Sequence, residues 1–100
     1  MAKFVLVYLG GGPPTNPEDG KKVMDAWMAW FGRVGSNVVD AGAPIGPRQM
    51  VGAKAAGTGA AGYSIVTADN LAAAVKLTEG HPHLMSGGSI EVCETVPIPM

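Results

Sequence analysis

From Asn16 to Gly42 the chain reads NPEDGKKVMDAWMAWFGRVGSNVVDAG, with apolar residues recurring at Val23, Trp27, Trp30, Phe31, Val34 and Val38. Steps of three and four place these on one face of a helix. Asn16 suits the cap, Pro17 the first helical position, and Glu18 with Asp19 the positive end of the helix dipole. The phase predicts a helix to about Asp40 with Gly42 just beyond it, Gly35 being the alternative stop. Within such a helix Gly32 and Gly35 read as points of close backbone packing. Both tryptophans lie on the stripe beside Phe31, and aromatic area of that size needs a wide apolar floor, which a sheet provides.

Ahead of the helix, Ala2 to Leu9 (AKFVLVYL) has strand composition. Phe4, Leu6 and Tyr8 point one way, Val5, Val7 and Leu9 the other, so both faces are apolar and both call for a cover. Gly10 to Thr15 (GGGPPT) reads as a turn. It lacks the spacing of a phosphate-binding loop, and its two prolines remove amide donors that such a loop uses. After the helix, Arg48 to Ala53 reads as a second strand and Lys54 to Ala60 as a hairpin tip. Ala61 to Ala68 reads as a third strand, with Tyr63 and Ile65 facing one way, Ser64 and Val66 the other. Asp69 is placed to cap a second helix over Asn70 to Glu79, with Leu71, Ala74, Val75 and Thr78 as its buried stripe and Gly80 as its end. His81 to Gly88 reads as a loop. Ser89 to Val96 alternates as a last strand, and Pro97 and Pro99 prevent further pairing.

The order strand, helix, strand, strand, helix, strand predicts an α+β chain of the ferredoxin-like βαββαβ kind, a four-stranded antiparallel sheet with two helices on one face. One hundred residues make a single domain, residues 1–100. Charged residues are only 15% of the chain against 47% hydrophobic, well below the quarter charged that is usual, which points to hidden surface and self-association. The cheapest partner for the uncovered sheet face is a second copy about a twofold axis. A formal net charge of −1 offers no basic field for nucleic acid or a membrane surface. The single cysteine, Cys93, allows no internal disulfide, and no signal-peptide or membrane-spanning run is evident, so a cytoplasmic homodimer is expected.

The segments KFVLVYLGG, AWMAWFGRVGSNVVDAGAPIG, GYSIVTADNLAAA and GGSIEVCETVPI together resemble the YCII-related family in its DGPF-like branch, across nearly the whole chain. The resemblance implies a dimeric α+β barrel, two such sheets facing each other around a shared interior. Some members resemble enzymes with a histidine near the middle of the first helix and an Asp-Pro pair after the second, suggested as a catalytic dyad. Here the helical position falls near Trp27 or Met28, and His81-Pro82 stands where Asp-Pro would be. Other members of the branch resemble companions of extracytoplasmic-function sigma factors, which implies a non-enzymatic regulatory or interaction module as the alternative function.

No hydrolase, kinase, zinc-protease or P-loop signature is present. His81 is the candidate general acid or base, and His83, two residues on, a candidate ligand-binding group; solvated or hydrogen-bonded loop histidines are the commoner outcome for such a pair. Two imidazoles lack the third ligand a metal needs, so neither metal nor cofactor is expected. Glu91 on the last strand needs a partner if its face becomes an interface, Arg48 is the cation available, and both are candidate ligand-binding groups. Tyr63 serves as a core aromatic or as a hydroxyl donor to a pocket. Trp27, Trp30 and Phe31 serve as core, or as the floor of an apolar pocket. The function expected is the binding of a small apolar or aromatic molecule, with weak acid–base chemistry centred on His81.

Overall fold

The computed structural model describes residues 2–11, 16–52 and 59–98. Four strands and three helices follow in the order β1 (Ala2–Gly10), α1 (Pro17–Val34), β2 (Val38–Asp40), β3 (Ala60–Ala68), α2 (Leu71–Leu77), α3 (Pro82–Met85) and β4 (Gly88–Glu94), with a 3-10 turn over Gly35–Asn37 after α1. They form an α+β chain with one four-stranded antiparallel sheet ordered β2-β3-β1-β4.

β1 is the spine, pairing with β3 from Ala2 opposite Ala68 and with β4 from Phe4 opposite Glu94. Its alternation sorts the molecule into two halves. Phe4, Leu6 and Tyr8 are buried and join Trp30 and Val34 of α1, Val66 and Ala68 of β3 and Ala74 of α2 in one core. Both longer helices therefore cover the same face. Val5, Val7 and Leu9 stay half-buried on the other, next to Ile65 and Tyr63 of β3 and Cys93 and Glu91 of β4.

The start of α1 follows the sequence closely: the Asn16 side chain accepts from the Asp19 N–H at 2.8 Å, and Pro17 opens the first turn. Its end does not. The helix stops at Val34, where Gly35 takes φ +51°, rather than near Asp40. Asn37 then donates to the Thr67 carbonyl at 2.8 Å, binding the chain to β3 one residue before Val38 begins β2. Val38 and Val39, β-branched, suit the strand better than a last helical turn. Gly32 has open space around it, so it is not a point of close packing.

That early stop moves the second strand. β2 is Val38–Asp40, and beyond it Pro44 bridges Gly62 while the Ile45 N–H reaches the Ala61 carbonyl at 2.9 Å. Residues 48–52, expected as strand, are exposed and irregular; Ala53 and most of the expected hairpin tip lie outside the described residues, as do residues 12–15 and Pro99. The cap of α2 is Asn70 rather than Asp69, accepting from the Ala73 N–H at 2.8 Å. Ala74 and Thr78 are buried as expected, but Leu71 and Val75 are half exposed, and Ala73 with Leu77 take their place against the core. The segment expected to be a loop after Gly80 contains α3, with Pro82 at its first position.

Candidate functional site

Two features meet near the end of β1 where Tyr8 lies: a buried hydrogen-bond chain and an open apolar cavity. The chain starts at His81. Its Nδ1 accepts the His83 N–H at 3.0 Å, which caps α3 and leaves the ring proton on Nε2. Nε2 is 3.1 Å from the Tyr8 hydroxyl, to which it therefore donates. Tyr8 donates to Ser64 Oγ at 2.7 Å, and Ser64 donates to the Ala41 carbonyl at 2.8 Å. Every proton in the series points the same way, from α3 across β1 and β3 to the segment after β2. The chain packs among aromatic rings, with Trp30 and Trp27 centred 4.3 and 4.7 Å from the His81 ring.

His81 is fully buried, so it is not a solvated loop residue. Burial is the main reason that its pKa falls from 6.5 to about 4, with the positive fields of His83 and Arg33 adding to the shift. Burial likewise raises the pKa of the Tyr8 phenol, partly offset by its bond to Ser64. Both groups are neutral around pH 7, and both ring nitrogens of His81 are engaged within the protein.

The cavity measures about 360 Å³. On one side α1 supplies Met24, Trp27, Met28 and Phe31, and on the other lie residues 41–44 and 61–63, with Tyr8 and His83 completing the wall. Trp27 is the joint: its ring stacks on Phe31 at 5.7 Å and meets Tyr8 edge-on at 5.4 Å. Trp30 divides from it in role, being buried in the core with its indole N–H on the Leu77 carbonyl at 2.8 Å. The aromatic stripe thus serves both as core and as pocket floor.

The residues singled out by sequence do not all assemble. Trp27, Tyr63 and His83 border the cavity; His81 stands behind Tyr8 rather than in the wall. Tyr63 pairs with Val7 and by alternation turns its ring to the open sheet face. Glu91 lies on that same face, pairing with Val7 from the other side, and accepts from the Cys93 thiol at 3.3 Å. Burial and the carboxylate beside it raise the thiol's pKa, leaving it protonated. Arg48 is exposed in the irregular stretch after β2 and does not line the cavity. Among the described residues no group of three or more His, Cys, Asp or Glu is placed to hold a metal ion, and no helix is long and apolar enough to cross a membrane.

Sequence reasoning missed Ser64, Met24, Met28 and the 41–44 segment. A signal existed for the three side chains. Ser64 shares its strand face with Val66, a polar group on a core face that needs a partner. Met24 and Met28 are one helical turn apart and flank Trp27. No family model matches the chain, and neither does any curated protein or solved structure.

Proposed function

We propose that this protein binds a small apolar or aromatic molecule in the cavity between α1 and the start of β3. The cavity itself carries the proposal: about 360 Å³ of open space walled by Met24, Trp27, Met28 and Phe31 falls within the range of small-molecule sites. Polar groups in the wall are few, and methionine adapts its shape to flat ligands. Binding is better supported than turnover, because His81 is enclosed and both its nitrogens are committed. An open cavity also favours this role over that of a purely regulatory module, in which side chains would fill the space.

The strand order β2-β3-β1-β4, with both longer helices on one face, supports the ferredoxin-like arrangement and the proposed kinship with the YCII-related family. The half-buried Val5, Val7 and Leu9 support a homodimer in which the open sheet faces meet.

Thermal-shift measurement with a set of planar aromatic compounds tests the binding role, since a ligand that binds only the folded state raises Tm. Met28→Asp is the matched control. Met28 is 68% exposed, so a charge there changes stability by no more than about 0.5 kcal/mol while placing a carboxylate on the apolar wall. Compounds that raise the wild-type Tm are expected to lose most of that effect in the variant. A wild type that responds to none, or shifts that survive Met28→Asp undiminished, would overturn the proposal.

A further inference from the structure

Many of the polar atoms around the cavity are used within the protein. The Tyr8 hydroxyl accepts from His81 and donates to Ser64. The Ala41 carbonyl takes the Ser64 hydroxyl, the Ala43 carbonyl takes the Tyr63 N–H at 3.3 Å, and the Ala61 carbonyl takes the Ile45 N–H. The Gly42 N–H is held by the Asp40 carboxylate at 2.8 Å. Among the described residues no lysine or arginine lines the cavity.

His83 is different. Its Nε2 lies 2.9 Å from the Leu9 carbonyl, and a carbonyl can only accept, so the ring proton is on Nε2. In the neutral ring Nδ1 is then a bare lone pair, with no protein donor among the described residues. The Nε2 bond to Leu9 holds the ring, which lies close against two glycines. A Cβ at Gly88 would overlap it, a Cβ at Gly11 would come within 3.0 Å of Cε1, and the Tyr8 ring is centred 5.3 Å away. Two glycines thus leave a slot that the imidazole occupies at the cavity wall.

We propose that His83 is the specificity-determining residue of the cavity, selecting neutral aromatic molecules that carry a hydrogen-bond donor, a phenol or an aromatic N–H, offered to Nδ1. This rests on the binding role proposed above and refines it. The apolar wall takes the ring system, and the fixed acceptor takes the donor with little ordering left to do. Carboxylates are disfavoured, since no lysine or arginine faces them among the described residues and the lone pair of the neutral ring repels them. The slot also explains why residue 88 is glycine, since a side chain there would overlap the imidazole.

The test compares 2-naphthol with 2-methoxynaphthalene, which share a ring system and differ in the donor. Affinities come from NMR titration of the wild type and of His83→Phe, and the imidazole nitrogens of the wild type are followed by 15N shift. The wild type is expected to bind 2-naphthol about tenfold more tightly, the worth of one good hydrogen bond. The His83 Nδ1 resonance should move with 2-naphthol and stay still with the ether, and His83→Phe should bind both alike. The wild-type comparison and the nitrogen shift decide the matter even if the variant does not fold. Equal wild-type affinities, or a preference that persists in His83→Phe, would overturn the assignment while leaving the binding role intact. Failure of both compounds to bind would overturn the two together.

Discussion

His81 sits among Trp27, Trp30 and Tyr8 without exposure to solvent, and each of its nitrogens has one partner suited to the neutral ring. Protonation would place a second proton on Nδ1 against the His83 N–H, two donors facing each other in a low-dielectric site. Burial, with the positive fields of His83 and Arg33 adding to it, lowers the pKa to about 4 from the ordinary 6.5. The unfolded chain binds the proton more readily, so this site costs stability as pH drops through the interval from about 6.5 to about 4, and it contributes its full stabilisation above that interval. Denaturant unfolding at pH 7 and pH 4 is expected to show wild type losing on the order of 2 kcal/mol more than His81→Asn across that interval. Asparagine keeps the cap of α3 but does not titrate. At pH 7 the same variant should be about 1–3 kcal/mol less stable, since Tyr8 loses its donor and the site loses ring volume. An equal pH response in the two proteins would show that His81 is not held neutral.

Among the elements, α1 was the most legible at its start and the least at its end. Asn16, Pro17 and the acidic first turn each act locally, and local rules suffice for them. The stop at Val34 depends on Asn37 reaching the Thr67 carbonyl, a contact thirty positions away that no helical period reveals. The apolar phase misled as well: Val38 continues the helical spacing but belongs to β2. From that one error the misplaced second strand follows. The site was legible in proportion. Trp27 was visible as part of a stripe, whereas the pairing of Tyr8 with His81 joins residues 73 apart and exists only once α3 folds back on β1. Gly32 offers a check on the helix itself. It is in the last turn or so of α1, exposed, with nothing near a Cβ. Gly32→Ala is expected to stabilise the protein by about 0.5–1 kcal/mol through the unfolded chain's entropy, read as a higher urea midpoint at unchanged slope. A loss of stability there would mean that the helix end is packed more tightly than described.

At the scale of the molecule, the shortest dimension is 18 Å, about one helix layer on one sheet layer. The radius of gyration, 14.7 Å, exceeds the roughly 13 Å of a compact chain of this length. The proposed dimer would add the missing layer over Val5, Val7 and Leu9. Sedimentation at micromolar concentration is expected to find a dimer for wild type and a monomer for Val7→Lys, which sets a charge at the middle of the central strand's open face. A monomeric wild type would end that proposal.

The two margins of the sheet bear on what such pairing could become. One is β2, three residues long and followed by Gly42 and Pro44; the other is β4, which carries Glu91 and Glu94 and runs out toward Pro97. A short edge and a charged edge that ends in proline both discourage an added strand. Sideways growth into a continuous ribbon is thereby discouraged, and in the proposed dimer a flat twofold contact would bury the face that forms it. The proposed assembly would then terminate at two.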